Sequence, residues 1–498
     1  MNNAVDDSPH SPLDHRLAGI LLHPTSLPGA GVVGCFNKEA FRFVDFLAEA
    51  GIRVWQVLPL GPTGEDLSPY NSASAFAGST LFIDLNDFVA LGLLDKHYQA
   101  PKNIHQHVQL IHTAYAACKT STTLACTELK TQIEKFVIGN SDWLVDYALF
   151  RIIQEQQQGK SWHLWPEALK NREPEALSKI KHQYAEEIEQ VFFKQFFFNK
   201  HWVALKNYAN SKNIKLLGDL PIFVAHNGVD VWSHQKQFNL DESGMPLTVA
   251  GVPPDYFSET GQRWGNPHYR WSVMAEDEFS WWRRRVNHLL DWFDWVRIDH
   301  FRGLEACWEI PADEQTAIHG HWQKAPGDEL LGYLQESHHT LPFIAEDLGI
   351  ITEEVTQLRE KYSLPGMKIL QFAFDSDDKN PYLPHNYADN CVVYTGTHDN
   401  NTALGWFKYL SDQQKARVLE YLGQPTDPMP WPLIRAALAS PAKLAIIPMQ
   451  DILALDERHR MNTPGQSNGS WLWRFTWDQV SDDLAAKLYA WNKEYQRV

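Results

Sequence analysis

Residues 294–299 read DWVRID, and His300 follows. A short apolar and β-branched run, bounded by polar residues, ends on an arginine, an aspartate and a histidine. That is the signature of a short buried strand with ionisable groups at its far end. Runs of the same kind occur at 18–22 (AGILL), 53–58 (RVWQVL), 215–224 (KLLGDLPIFV) and 342–346 (PFIAE). They recur at 367–374 (MKILQFAF), 391–397 (CVVYTGT) and 444–450 (LAIIPMQ). Helical periodicity lies between most of them, as at 38–50, 353–362 and 411–422. About eight strands separated by helices predict an α/β fold, a (β/α)8 TIM barrel.

Two connections are too long for a bare barrel. Residues 61–214 open with the loop SPYNSASAFAGS and turn mostly helical, notably at 141–158 and 174–210. Residues 225–293 are rich in Trp, Gly and Pro. Both follow C-terminal strand ends, the face where barrel active sites sit. They are expected to be inserted subdomains walling a cleft, the second as an aromatic-rich lid. The catalytic barrel is expected over 16–498, with 1–15 a flexible N-terminal tail.

Several strand ends finish in ionisable groups: Asp219; Arg297, Asp299 and His300; Glu346 and Asp347; His398 and Asp399. One such residue is usually a loop cap or a salt-bridge partner. Four strands ending this way point to a barrel enzyme with a carboxylate-rich pocket. Retaining glycoside chemistry, which needs two carboxyls about 5–5.5 Å apart, is one option among several.

The bulk composition agrees with a neutral ligand. The net charge of −17 carries no long basic run, which argues against nucleic acid or an anionic membrane as partner. The 20 Trp, 17 Tyr and 25 Phe suit a surface that stacks on sugar rings, although large cores use aromatics too. Five scattered cysteines without a C-x-x-C pair, a polar N-terminus and no apolar run near ~20 residues predict a cytoplasmic protein.

The motifs around the strand ends narrow the chemistry. WVRIDHFRG at 295–303, IAEDLG at 344–349 and TGTHDNNT at 395–402 resemble the nucleophile, acid/base and His-Asp strands of the α-amylase clan of retaining glycosidases. HPTSLPG at 23–29, SPYNSASAFAG at 68–78, GDLPIFVA at 218–225, VPPDYFSETGQRWGNPHYRW at 252–271 and IIPMQDIL…RMNTPG at 446–465 extend the likeness in collinear order. The chain resembles the 4-alpha-glucanotransferase family, also called amylomaltase or disproportionating enzyme.

That resemblance implies a set of roles. Asp299 would be the nucleophile, Glu346 the acid/base and Asp399 the carboxylate that grips the distorting glucose. Arg297 would hydrogen-bond Asp299 and favour its anion. His300, His398 and Asp219 would meet the same ring, Tyr70 would stack on it, and Gln262, Trp264 and Asn462 would reach in from insertions and the last loop. Donor and acceptor would be α-1,4-glucans, maltooligosaccharides or glucose, with no metal and no cofactor. The carboxylates do not distinguish water from a sugar hydroxyl as acceptor; the resemblance favours transfer. Departures occur at GAGVVGCFNKEA (29–40), where members often carry Gly-Asp-Leu-Gly, and at Glu65, where some relatives carry an aromatic. Both concern remote glucan contacts.

Other motifs fail on context. Gly29, Gly31 and Gly34 fit G-x-G-x-x-G, but Pro24 and Pro28 intervene and the next strand has no acid at its end. Gly465, Ser467 and Gly469 fit G-x-S-x-G, yet no preceding strand is expected there and no histidine follows. The pairs His319/His321 and His338/His339 lack a third ligand at metal spacing. Asn400 and Asn468 fit N-x-[ST], which a cytoplasmic chain would not use.

Overall fold

A computed structural model describes residues 11–64, 66–255, 258–466 and 469–498. Residues 1–10 of the expected tail, Glu65, Tyr256 and Phe257 of the VPPDYF motif, Ser467 and Asn468 lie outside the described residues.

The strands are β1 (Leu17–Leu21), β2 (Val54–Gln56), β3 (Lys215–Pro221), β4 (Thr248–Val252), β5 (Gln262–Pro267) and β6 (Trp295–Asp299). They continue as β7 (Ala306–Pro311), β8 (His321–Lys324), β9 (Phe343–Ala345), β10 (Gly366–Ile369), β11 (Cys391–Tyr394) and β12 (Leu444–Pro448). Eight of them form one sheet in the order β10-β11-β12-β1-β2-β3-β6-β9, with every pairing parallel. These are the eight runs read from the sequence.

The sheet curls into a nearly closed barrel. Across the remaining seam, the Ala345 N–H donates to the Pro365 carbonyl at 2.9 Å. The Met367 N–H donates to the Asp347 carboxylate at 2.7 Å, so a side chain serves where a ladder bond would lie. A Cβ on Gly366 would fall 2.4 Å from that carboxylate, which is why a glycine starts β10.

Alternation along the strands sorts residues into two layers. Leu17, Leu21, Val54, Leu217, Ile344, Ile369, Val392, Tyr394 and Ile446 fill the barrel. Their neighbours Ala18, Ile20, Trp55, Leu216, Leu220, Val296, Ile298 and Val393 face the surrounding helices. The same two-residue period aims Asp219, Arg297 and Asp299 inward at the upper rim.

Some boundaries differ from the sequence reading. β3 stops at Pro221 and β10 at Ile369, because the apolar residues beyond them are buried in a loop at 222–224 and in the 3-10 turn Leu370–Phe372 instead. A buried loop and a buried strand look alike in composition. The helical stretch 174–210 is two helices, Pro174–Gln183 and Ala185–Ser211, broken at Tyr184 (φ −120°, ψ 36°). The longer one lies against the barrel, where Trp202 Nε1 donates to the Trp292 carbonyl at 3.0 Å. The expectation of a flexible tail over 1–15 does not extend to 11–15: Leu13 is fully buried in the barrel's base and Ser11 donates to Asn390.

A second sheet was not foreseen. β5, β4, β7 and β8 pair antiparallel in that order beside the barrel mouth. β8 is the tetrapeptide HWQK, exposed along its whole length, so no apolar run marks it.

Candidate active site

The site is built where β3, β6 and β9 lie side by side. Register sets Asp219 against Arg297, Pro221 against Asp299 and Arg297 against Ile344. The buried guanidinium of Arg297 forks between two carboxylates. Its Nη1 donates to both Asp219 oxygens, at 2.8 and 2.9 Å, and its Nη2 donates to Asp299 Oδ1 at 2.8 Å. Burial alone would lower the Arg297 pKa, yet Asp219 and Asp299 push it well above its ordinary value. A permanent cation therefore sits between them.

Glu346 leaves β9 one strand further round. Burial, with Arg297 opposing and Asp299 adding, pushes its carboxyl up to about 7. Its oxygens accept from the His300 N–H at 2.7 Å and the Leu348 N–H at 3.2 Å. His300 turns its N–H toward Glu346 by taking a left-handed conformation (φ 56°) directly after β6. Burial pulls the His300 imidazole down to about 4, so the ring is neutral at ordinary pH. Its buried Nε2 has no protein partner among the described residues.

The opposite wall comes from loops. Tyr70, in the loop after β2, donates to Asp219 at 2.6 Å and stacks on His398 (centroids 5.2 Å apart, planes 16°). His398 Nε2 lies 3.4 Å from Asp399, which projects into solvent with its side chain 49% exposed. Asn462 Nδ2 donates to the Asp399 carboxylate at 2.7 Å, and Arg460 donates to its backbone carbonyl at 2.8 Å. On the other rim, Trp264 of β5 stands edge-on to His300 at 4.9 Å and donates to Gln262 at 3.1 Å.

The structure thus gathers all eleven residues singled out in the sequence at one barrel end. It also brings in residues the sequence reading did not single out. His23, two residues past β1, is buried, and burial followed by His398 pulls it down to about 3. The strand-end rule that found Asp219 could have found it. Trp471 packs beside both Tyr70 and His398, and Tyr394 lies in the barrel floor beneath Arg297 with its hydroxyl buried. Nothing local marks a tryptophan in a polar loop as part of a site.

The glycine loop at 29–34 is not shaped for phosphate. Arg474 fills it, donating to the carbonyls of Leu27, Gly29 and Gly31 at 2.9–3.0 Å, so acceptors rather than N–H donors turn inward. Among the described residues, no group of three or more His, Cys, Asp or Glu side chains is arranged to hold a metal ion. No described helix is long and apolar enough to cross a membrane.

Comparison with known proteins gives one answer. The family model described as 4-alpha-glucanotransferase, glycoside hydrolase family 77, matches residues 22–480. A 4-alpha-glucanotransferase from Thermus thermophilus is 46% identical over 97% of this chain and 99% of its own length. One from a Synechocystis species is 46% identical over 96% and 97%. The amylomaltase of Streptococcus agalactiae, solved in complex with acarbose, superposes with a TM-score of 0.93 at 37% identity, covering 97% of this chain and 99% of that one. With a carboxylate-rich pocket at the barrel mouth and likeness along nearly its whole length, this chain belongs to the 4-alpha-glucanotransferase family, glycoside hydrolase family 77.

Proposed function

We propose that Asp299 is the nucleophile, Glu346 the acid/base and Asp399 the substrate-gripping carboxylate of a retaining transfer between α-1,4-glucans. An Asp299 oxygen attacks the anomeric carbon while the bond to the leaving 4-oxygen breaks and Glu346 gives that oxygen its proton. The reducing-end piece departs, leaving a glycosyl ester on Asp299. The 4-OH of an acceptor glucan or glucose then yields its proton to the Glu346 carboxylate and attacks the same carbon. The ester breaks and Asp299 is regenerated, so two inversions give net retention.

The observation that carries this reading is the unequal treatment of two carboxyls that share one rim. Asp299 accepts from the permanent cation Arg297, as a nucleophilic anion needs. Glu346 is raised to about 7 by burial, which keeps a transferable proton near neutrality. Supporting residues fit around that pair. Asn462 orients Asp399, Tyr70 and His398 offer a stacked aromatic wall, and His300 Nε2, unpartnered among the described residues, is available to meet a sugar hydroxyl. Trp264 and Gln262 on β5 form the part of the second insertion that would close over the bound chain and hinder water.

Incubating the protein with maltotriose and separating the products tests the reading. Glucose together with a ladder of chains longer than maltotriose is expected. Glucose and maltose with no longer product would contradict transfer.

A further inference from the structure

Tyr70 reaches Asp219 from a loop, and a loop needs something to set its height. The stretch 72–79 that follows Tyr70 contains no helix or strand; Ser72 and Ser74 side chains bond part of its backbone locally, and several other backbone groups bond residues outside it. Gln195, buried on the helix Ala185–Ser211, makes two bonds to one residue: its Oε1 accepts from the Gly78 N–H at 2.8 Å and its Nε2 donates to the Gly78 carbonyl at 2.9 Å. Asp230, buried in the helix Val229–Ser233 after β3, accepts from the Ala75 N–H at 2.8 Å. Next to it the Val229 N–H donates to the Ala73 carbonyl at 2.9 Å. His288, on the helix Ser280–Trp292 that leads into β6, donates from Nε2 to the Phe76 carbonyl at 2.7 Å.

Packing buries Phe76 and Ala77 yet leaves a gap beside the stretch nearer Tyr70. A cavity of about 50 Å³ lies beneath it, lined by Tyr70, Ser72, Ser74, Asp219 and Pro221 among others. Above such a space the loop could sink by a fraction of an ångström, and the polar contacts are what oppose that. Gly78 is also held to one position, since a Cβ there would meet the Phe198 ring at 2.1 Å.

We infer that Gln195, Asp230 and His288 are positioning residues: three side chains from three elements that clamp 75–78 and thereby place Tyr70 against Asp219. This rests on the proposed place of Tyr70 in the substrate site. Asp230 acts in this account as a hydrogen-bond acceptor, so the amide of Asp230→Asn can replace it, whereas Asp230→Ala cannot. Misplacing a contact by about 1 Å costs up to ~10²-fold in rate.

The test measures kcat and KM for maltotriose disproportionation in Gln195→Ala, Asp230→Ala, Asp230→Asn and Tyr70→Ala, with thermal unfolding of each. Gln195→Ala and Asp230→Ala are expected to lose about tenfold or more in kcat while still melting cooperatively above the assay temperature. Asp230→Asn should return to within about threefold of the parent. Loss of folded protein alone would lower apparent kcat in step with the melted fraction, and it would not spare the Asn variant relative to Ala beyond that fraction. If Asp230→Ala does not fold, Gln195→Ala carries the test. Parent-like kcat in the folded Ala variants, with Tyr70→Ala impaired, overturns the clamp and leaves the site reading standing. Parent-like kcat in Tyr70→Ala overturns both. Equal loss in Asp230→Asn and Asp230→Ala overturns the acceptor role.

Discussion

Arg297 is the residue on which the site's electrostatics turn. It is the only side chain bonded to both Asp219 and Asp299 among the described contacts, and its planar fork reaches two carboxylates at once. A lysine has the charge but not the fork. Arg297→Lys is therefore expected to lower kcat for maltotriose transfer by ~10²-fold or more, read by the rate of glucose release. Glu346 makes a prediction of opposite sign for stability and for activity. Its ordinary value is 4.5, and burial raises it to about 7 in the fold. Below about 4.5 the carboxyl is neutral folded or unfolded, and its contribution to stability is fully present. As pH rises through about 7 the folded protein must carry a buried charge, and that contribution is lost. Glu346→Gln should melt higher than the parent at pH 8, with the gain fading as pH is lowered toward 5. Over the same interval kcat/KM of the parent should fall as pH rises past about 7, and the variant should lose ~10²–10⁴-fold in transfer. Melting curves and pH–rate profiles check both. Asp299, Arg297 and Glu346 were legible in the sequence because each sits at the end of, or directly after, an apolar run, whereas Asp399 lies five residues past β11 and was read with the polar TGTHDNNT motif. His23 obeys the same rule and went unread, since a proline-rich turn follows it.

At the scale of elements, the barrel could be read because its strands are buried on both faces and so appear as unbroken apolar runs. The antiparallel sheet β5-β4-β7-β8 could not. Its outer strand is exposed throughout, and β5 carries Gln262 and Trp264 outward, so neither shows a buried pattern. Strand ends were misjudged where loops are as buried as strands, as after Pro221. One seam has a sharp requirement. Because the Asp347 carboxylate bonds the start of β10 and leaves no room for a side chain at 366, Gly366→Ala must displace either the acid or the strand. The expected cost is about 1–3 kcal/mol, with a fall in activity, since Glu346 immediately precedes Asp347. Urea denaturation with an unchanged slope measures the first, and the maltotriose assay measures the second.

For the whole molecule, the two ends of the barrel do different things. The upper end carries the candidate site, and the lower end is tied together by Arg497. Arg497 is fully buried and donates to the carbonyls of Leu17, Leu438, Ser440, Ala442 and Lys443, at 2.6–3.4 Å. It thus links the starts of β1 and β12 to the helix before β12. The Leu438 and Ser440 carbonyls also accept from Arg16 and that of Lys443 from the Leu17 N–H, so replacing Arg497 strips donors chiefly from Leu17 and Ala442. Arg497→Met should lower the unfolding free energy by about 1–3 kcal/mol while maltotriose turnover at low temperature stays near the parent's. No sequence rule points to Arg497, because its partners are backbone carbonyls brought together where β1 pairs with β12.

The nucleophilic role of Asp299 is the centre of the proposed mechanism. A 5-fluoro-α-glucosyl fluoride, which forms the ester readily and releases it slowly, can trap the intermediate for peptide mass spectrometry. A single glycosyl adduct on the peptide containing Asp299, absent from Asp299→Asn, is the predicted result. An adduct on a different carboxylate, or none from a protein that turns over maltotriose, would contradict it.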